Sequence, residues 1–296
     1  MRISPTILRI RLFFRFSLMS AVYGLMVDSP EFYCMNRSLG TYLISGRSAS
    51  QEFTLRYGGP PRGFVLKAFI AGTSMVSAPI FDRWEKAEVQ TPYGDVLLRR
   101  TAGYVYLQRH GAQKVPPHNI NHLANVWALK SLKVRKVMAI NSVGSLRMEI
   151  KPGAFVIPDD FFALCKAPTF FQDEMQFMVP HMDQSLAKRL YRVCRRLNME
   201  VTLGGVYVQT TGPRLETKAE INFFKGFGDI VGMTLASEAT LCMEQHIPYV
   251  SICSVDNYGN GITTKPVSIP EVARNAKKSM QAFERLISVL IQENGP

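Results

Sequence analysis

The stretch from Gly204 to Glu220, GGVYVQTTGPRLETKAE, constrains the fold more strongly than any other part of this sequence. Its apolar run at 206–208 is typical of a buried strand, the pair Gly212-Pro213 ends that strand, and a helix start follows. In open α/β sheets the turn after a strand lies at the edge where ligands bind. Arg214 and Glu216 fall inside this turn, so the stretch predicts either a ligand site or an ordinary charged surface loop.

From Val65 onward, strand-like and helix-like segments alternate along the chain. Short apolar runs predict the strands, and apolar positions at helical spacing predict the helices. The alternation predicts one α/β domain with a central mixed, largely parallel sheet flanked by helices. The predicted strands are 65–70, 134–140, 206–208, 229–234 and 249–255, with a strand hairpin at 96–107. The predicted helices are 121–132, 185–197, 217–224, 237–246 and 269–292, with Ser237 as the N-cap of the fourth.

The composition excludes several classes of protein. Of the 296 residues, 47% are hydrophobic and 20% are charged, which is typical of a globular chain. The net charge is +12, but no long Lys/Arg run occurs, so we predict an anionic substrate and no nucleic-acid partner. No stretch reaches the roughly 18 uncharged apolar residues of a membrane span. The five cysteines show neither CxxC nor metal-ligand spacing, so we predict reduced thiols, no metal and a cytoplasmic location.

Residues 1–64 differ from the rest and are predicted to be an extension of the folded domain at 65–296. Residues 1–62 carry eight arginines against three acids, and within residues 1–27 arginines interleave with apolar side chains. That pattern resembles an organelle transit peptide. Residues 28–62 are expected to be irregular and to end in a linker at 58–63. Two alternatives stay open: an extension with no fold of its own, or a start codon assigned too far upstream.

Five motifs follow one another in the predicted domain. Together they resemble the trimeric purine nucleoside phosphorylase and 5′-methylthioadenosine phosphorylase family, and within it the 5′-methylthioinosine phosphorylase branch. The resemblance covers roughly residues 66–290. It implies an α/β phosphorylase fold, a homotrimer, and no cofactor, with inorganic phosphate as co-substrate. The motifs are RHG at 109–111, PPHNINHLANVWALK at 116–130, INSVGSL at 140–146, GGVYVQTTGPRLETKAE at 204–220 and DIVGMTLASEATL at 229–241.

The reaction that this resemblance implies explains the residue types. Phosphorolysis breaks the bond between ribose C1′ and purine N9 through an oxocarbenium-like state, with phosphate as the nucleophile, so no Ser, Cys or metal is required. The enzyme must bind phosphate, hold the sugar and stabilise negative charge on the departing purine. By resemblance, the phosphate-binding residues are Thr73, Arg109, His110, Asn141, Ser142 and Thr234. The base- and ribose-binding residues implied in the same way are Val143, Gly144, Leu215, Met233, Ile269 and Val272.

The residues expected at the base distinguish two classes of purine. A 6-oxopurine presents an N1–H donor and an O6 acceptor, and a 6-aminopurine presents the reverse. An ionised Glu216 only accepts, which suits N1–H, and the Asn257 amide can serve O6 or N7. The resemblance associates Glu and Asn at these places with hypoxanthine/guanine enzymes, and Ser and Asp with adenine-specific ones. Glu216, Asn257 and the neighbouring Asp256 are the predicted catalytic residues.

Other positions depart from the family pattern. Ile269 and Val272 stand where nucleoside enzymes place a His for the 5′-hydroxyl, and an apolar lining suits a 5′-methylthio group better. The first turn reads AGTS where the family usually has GGTG, and the loop after RHG is shorter and lacks a second His. Asp256 replaces a usual Thr or Val. Three functions therefore stay open: a 6-oxopurine nucleoside phosphorylase, an adenine-type 5′-methylthioadenosine phosphorylase, and a weakly active nucleoside-binding protein.

Overall fold

The structure is a computed structural model that describes residues 66–293 and three short strands nearer the N-terminus. The chain divides into two units, residues 1–55 and 56–296. In the first unit three strands pair antiparallel in chain order, where the sequence predicted irregular chain. They are β1 Tyr33–Asn36, β2 Thr41–Ile44 and β3 Gln51–Thr54. The predicted transit segment at 1–27 and linker at 58–63 lie outside the described residues, and the predicted domain boundary at 64/65 stays a prediction.

The second unit contains an eleven-stranded mixed sheet, which confirms the predicted α/β class. Its strands are β4 Lys67–Ala71, β5 Glu85–Val89, β6 Val96–Thr101, β7 Tyr104–Gln108, β8 Lys136–Ser145, β9 Phe155–Ile157, β10 Asp160–Ala163, β11 Val201–Leu203, β12 Val206–Gln209, β13 Ile230–Gly232 and β14 Tyr249–Tyr258. The order is β10-β12-β13-β8-β4-β7-β6-β5; β14 pairs with β8, and β9 pairs with both β14 and β11. Parallel pairs β4–β7, β4–β8 and β8–β14 form its centre.

Among residues 66–293, five α-helices lie along this sheet. They are α1 His122–Ser131, α2 Gln184–Arg196, α3 Lys218–Phe224, α4 Leu235–Glu244 and α5 Ile269–Gln292. Local sequence determines where three of them begin, because Asn121 and Asp183 each accept a backbone N–H of the first turn, and Thr217 forms a capping box with Glu220. In the part of the chain that the structure describes, no helix has the length and apolar character to cross a membrane.

Helix α4 corrects one sequence prediction. It begins at Leu235 with Thr234 in the N-cap position, so the prediction of Ser237 as the N-cap was wrong. Ser237 lies in the first turn, where its backbone N–H donates to Gln209 Oε1 at 3.1 Å and its hydroxyl accepts from Gln209 Nε2 at 2.8 Å. Ser237 therefore joins the first turn of α4 to the end of β12 and does not cap the helix.

The apolar core between the sheet and helices α2 and α5 holds the central strands in place. Phe69 of β4 and Ile252 of β14 are buried there against Leu190 of α2 and Phe283 of α5. Phe283 also packs edge-to-face on Phe155, with ring centroids 5.3 Å apart. Full burial of each such side chain contributes about 1.5–3 kcal/mol. This core fixes β8 and β14 from one side and so positions their carboxyl ends.

The two central strands run further than the sequence predicts. Strands were expected to end at residues 140 and 255, but β8 continues to Ser145 and β14 to Tyr258. The two extensions pair with each other up to Tyr258↔Ser145, with one register shift between Val255 and Asn257. The segment Asn141–Ser145 therefore lies on a paired strand. Side chains on paired strands are held more rigidly than side chains on loops, which favours precise binding geometry.

We expect a chain that begins at Val65 to fold and keep its specific activity. β4 is the first strand of the large sheet, and it pairs with β7 and β8 on its two sides, so its pairing uses no residue before 67. Unfolding temperature and specific activity, measured side by side for the full-length and shortened proteins, check this expectation. Aggregation or inactivity of the shortened protein alone would show that residues 1–64 belong to the fold.

Candidate active site

One edge of the sheet gathers most of the predicted site residues. β4, β7, β8 and β14 are parallel, so their carboxyl ends lie side by side at this edge. β13 runs antiparallel to β8, with Ile230 opposite Ser145 and Val231 opposite Gly144. Its continuation therefore runs back beside β8 and brings Thr234 to Asn141. The turn after β4, the residues after β7 and the carboxyl halves of β8 and β14 thus form one candidate site.

Asn141 connects three elements at the centre of this edge. Its side-chain Nδ2 donates to Thr234 Oγ1 at 2.8 Å, and its Oδ1 accepts from the Ser251 hydroxyl at 2.7 Å. Asn141 and Ser251 are at most 1% exposed. Asn141 and Thr234 were predicted as phosphate residues from separate motifs, and the fold brings them into direct contact. Ser142 follows on β8 and is half-buried.

Arg109 forms a buried ion pair with Glu238. Its Nε lies 2.6 Å from Glu238 Oε1 and its Nη2 lies 3.2 Å from Oε2, while Nη1 donates to the Ile140 carbonyl at 2.8 Å. The Tyr249 hydroxyl donates to the same carboxylate at 3.0 Å. Desolvation disfavours the buried guanidinium, but the charge of Glu238 outweighs this and raises the pKa of Arg109. The guanidinium is therefore a fixed cation with a defined orientation.

The guanidinium of Arg109 lies against the predicted phosphate turn through its Nη1. A guanidinium has five N–H groups, and three are used above, which leaves one on each terminal nitrogen. Gly72 packs against Nη1 so closely that a Cβ at this position would collide with it. A glycine is needed here because it lets the turn approach the cation. Thr73 follows and is exposed.

His110 lies beside the same turn, close to Arg109. Its Nδ1 is 2.8 Å from the Val115 carbonyl, so Nδ1 carries the hydrogen of the neutral ring and Nε2 keeps its lone pair. Nε2 lies beside Gly72. Desolvation by burial lowers the pKa of His110. A neutral His110 can accept a proton or hydrogen bond from a protonated phosphate oxygen at this turn.

Glu216 is held at the other end of the site. The carboxylate is buried, and its Oε1 accepts from the Thr210 hydroxyl at 2.6 Å. Among the described residues no hydrogen bond uses Oε2. The Asn260 amide, from the loop after β14, reaches the Glu216 backbone carbonyl at 3.5 Å, so the loops after β12 and β14 meet here. Thr210 therefore orients an acceptor that remains available to a ligand.

Asn257 lies near the end of β14, next to Gly144 of β8. A Cβ on Gly144 would come within 3.3 Å of Asn257 Nδ2, so the glycine makes room for the amide. Nδ2 donates to the Tyr258 carbonyl at 2.7 Å. Met233 packs against Gly212 of the GPR turn. The fold thus places Asn257, Gly144 and Met233 between the Glu216 loop and the Asn141 network.

Four predicted base- and ribose-binding residues are less central. Val143 is buried within β8, and Leu215 is 38% exposed. Ile269 is 63% exposed at the first position of α5, and Val272 is half-buried one turn later. Their roles towards the sugar and base stay predictions.

Several residues outside the predicted set support the site. Tyr249 and Glu238 orient Arg109, Ser251 orients Asn141, and Asn125 of α1 donates to the Arg109 carbonyl at 3.0 Å. Glu238 and Asn125 lie within two of the family motifs, but no local pattern shows which residue each of the four contacts, because each acts on a partner distant in the chain. Within the described part of the chain, no three His, Cys, Asp or Glu side chains are arranged to hold a metal ion.

Asp256 is the most unusual charged residue of the edge. It is 1% exposed, and desolvation raises its pKa to about 6. The hydroxyls of Ser142 and Ser254 lie near enough to lower that pKa somewhat, yet neither makes a hydrogen bond of ordinary geometry with the carboxylate. The position holds a buried carboxylate whose charge no described side chain neutralises.

We expect the Asp256→Asn protein to be more stable than wild type at neutral pH. A folded-state pKa raised to about 6 means that the ionised form is disfavoured by folding, so stability falls as the pH rises through about 4 to 6. Above this pH range the free energy of unfolding is lower by at most roughly 3 kcal/mol. Denaturant unfolding of both proteins between pH 4.5 and 7.5 measures it. The stability difference should grow with pH and level off; a constant difference would contradict the assignment.

Residues 68–292 match the sequence model of the Phosphorylase superfamily. A probable 6-oxopurine nucleoside phosphorylase of Archaeoglobus fulgidus is 37% identical over 230 residues, covering 76% of this chain and 95% of that protein. A probable S-methyl-5′-thioinosine phosphorylase of Methanocaldococcus jannaschii is 38% identical, covering 75% and 90%. Among solved structures, methylthioadenosine phosphorylase from Schistosoma mansoni in complex with adenine superposes with a TM-score of 0.66, 26% identity and coverage of 75% and 89%.

The eleven-stranded sheet and the site at its edge define a phosphorylase-type α/β enzyme. The chain belongs to the Phosphorylase superfamily, and its relatives are purine nucleoside phosphorylases, as the sequence motifs predicted.

Proposed function

We propose that this enzyme catalyses phosphorolysis of a 6-oxopurine nucleoside. Inorganic phosphate attacks C1′ of the sugar, the C1′–N9 bond breaks with its electron pair moving to the purine, and a free base and a ribose 1-phosphate, or its 5-methylthio analogue, result. The observation that carries the proposal is the Glu216 carboxylate, buried and oriented by Thr210, in a loop that meets the loop after Asn257.

The base assignment rests on hydrogen-bond complementarity. Glu216 supplies an acceptor for N1–H, and the Asn257 amide supplies a donor for O6 or N7. An adenine would present its N1 acceptor to the Glu216 carboxylate and leave both groups unpaired, which discriminates strongly in a buried site. The names of the relatives from Archaeoglobus fulgidus and Methanocaldococcus jannaschii agree with a 6-oxopurine substrate.

The phosphate assignment rests on donors that converge on the turn after β4. Arg109 keeps two N–H groups that make no hydrogen bond to the described residues, its Nη1 lies against Gly72, and the next residue, Thr73, is exposed. The fork of a guanidinium suits a phosphate better than a single ammonium does. Asn141 and Thr234 complete this end of the site through their mutual hydrogen bond.

Two finer features belong to the same proposal. The apolar Val272 favours a 5′-methylthio group over a 5′-hydroxyl.

A homotrimer is the proposed assembly, and a short segment supports association because Met175, Phe177 and Val179 are all more than four-fifths exposed. Light scattering of the purified protein tests the trimer.

A substrate series tests the function. Inosine, guanosine, adenosine, 5′-methylthioinosine and 5′-methylthioadenosine are assayed with and without phosphate, and release of free base is measured. The proposal expects phosphate-dependent turnover with a preference for the 6-oxo member of each matched pair. A preference for the adenine members would establish the adenine-type alternative, and binding without turnover would establish a nucleoside-binding protein.

A further inference from the structure

The carboxylate of Asp256 makes no hydrogen bond of ordinary geometry among the described residues, and the only described side chains that lower its pKa are two nearby serine hydroxyls. It is 1% exposed, and neither of its oxygens has a hydrogen bond among the described residues. The two nearest hydroxyls, of Ser142 and Ser254, are also buried without a hydrogen-bond partner. A buried polar group that lacks a partner costs stability, and perturbed acids of this kind concentrate at functional sites. The burial of this carboxylate without an ordinary hydrogen bond therefore indicates a function in the reaction.

Asp256 is the extra residue of a β-bulge. Val255 pairs with Val143, and the next pair is Asn257 with Gly144, so Asp256 has no partner on β8. Bulges redirect side chains and often lie beside active sites. From α5, the Asn275 amide donates to the Asp256 carbonyl at 2.8 Å and so holds the bulge in place. The backbone that carries this carboxylate is thus held by both its strand and the neighbouring helix.

If the proposed function holds, the bulge lies at the position along the sheet edge where the sugar binds. Asn141 and Ser142 lie on the phosphate side, and Gly144 and Asn257 lie nearer the end of the strands, on the base side. Asp256 lies between these two levels. In phosphorolysis the sugar must lie between the attacking phosphate and the departing purine, because both bond to C1′. Along the strands, Asp256 therefore falls at the level where the proposed function places the sugar ring.

We propose that ionised Asp256 stabilises the positive charge that develops on the sugar ring as the C1′–N9 bond breaks. The oxocarbenium-like state is cationic, and a fixed negative charge in a water-excluded site lowers its energy. The residue exchanges no atoms or electrons with the substrate. The purine keeps the electron pair of the broken bond, a phosphate oxygen forms the new bond to C1′, and Asp256 acts through its field alone.

The neighbours of Asp256 leave this charge unopposed. On β14 the titratable neighbour is Cys253, whose pKa burial raises to about 12, with a small further contribution from Asp256. β8 contributes the neutral Ser142, and α5 contributes Asn275 and Ser279, while Arg274 and Lys278 of α5 are exposed. The buried cation of the site, Arg109, is already paired with Glu238. The burial that raises the pKa of Asp256 to about 6 still leaves it ionised at neutral pH.

Asp256→Asn separates this role from a structural one. The variant keeps the shape of the side chain and removes its charge, so we expect kcat to fall about 10- to 100-fold. The KM for phosphate should stay unchanged or fall, because a negative charge near the anion is lost. Phosphate titration calorimetry of the two proteins should show equal or tighter phosphate binding by the variant. The wild-type kcat should also show an acid limb near pH 6 that the variant lacks.

Ser279→Ala is the matched control, since it changes a buried polar side chain of α5 whose hydroxyl binds only within that helix. It should keep wild-type kcat and KM. Equal kcat for Asp256→Asn and wild type, or a raised phosphate KM with unchanged kcat, overturns this inference and leaves the proposed function standing. If wild-type protein turns over no nucleoside in the presence of phosphate, the proposed function fails first, and this inference fails with it.

Discussion

Removal of the Arg109 side chain should raise the KM for phosphate and lower turnover by roughly ten- to a thousand-fold, the range of a lost anion donor. The ion pair between Arg109 and Glu238 means that this substitution also affects stability. Arg109 and Glu238 are both about 2% exposed, so Arg109→Ala alone leaves a buried carboxylate without its cation. Breaking a buried pair in this way costs about 3–5 kcal/mol of stability. A fall in activity of the single variant would therefore mix unfolding with lost phosphate binding.

The Arg109→Ala/Glu238→Gln double variant separates the two effects. It removes the unpaired charge and keeps a neutral partner for the Tyr249 hydroxyl, so it should regain stability without regaining phosphate affinity. Arg99→Ala is the control, because Arg99 is an arginine on β6 that binds the Phe81 carbonyl and Asp82 outside the site. Initial rates over a phosphate series measure the effect. Wild-type phosphate dependence in a folded double variant would remove Arg109 from the phosphate site.

Replacing Glu216 with Gln should cost about 1–3 kcal/mol in kcat/KM for 6-oxopurine nucleosides. Thr210 donates to Oε1, and while it continues to do so, the new amide nitrogen takes the place of Oε2. That nitrogen is a donor facing the N1–H donor of a 6-oxopurine, whereas it pairs well with the N1 acceptor of an adenine. Adenine nucleosides should therefore lose less, or even gain.

Matched inosine and adenosine pairs, with and without the 5′-methylthio group, measure this change of preference. Glu220→Gln is the control: this acid belongs to the capping box of α3 and pairs with Arg214, so its loss should lower stability and leave base preference unaltered. Asn257→Asp should shift preference in the same direction as Glu216→Gln, since a protonated Asp can donate to an adenine N7. An adenine preference of the wild-type enzyme would show that the base assignment is wrong.

Much of the architecture follows from local pattern in the sequence. The apolar runs and their spacing predict the α/β class, and helix α5 occupies the predicted residues 269–292. The stretch at 204–220 forms the predicted strand, turn and helix, because its Gly-Pro turn and the Thr217 cap act within a few residues. Local signals of this kind act over one turn or one strand, and that is the range within which sequence analysis is strongest.

The electrostatic arrangement of the site was decided by tertiary structure. Arg109 pairs with Glu238 and Asn141 binds Ser251 across more than one hundred residues of chain, and no local periodicity encodes either contact. The bulge that positions Asp256 arises from a mismatch between two distant strands, β8 and β14. The sequence alone determined which polar residues this protein carries and which of them lie near the ends of strands. Only the folded sheet determined which of them are paired and that, among the described residues, the buried Asp256 carboxylate is left without a cation or an ordinary hydrogen bond, because desolvation depends on what packs around a group.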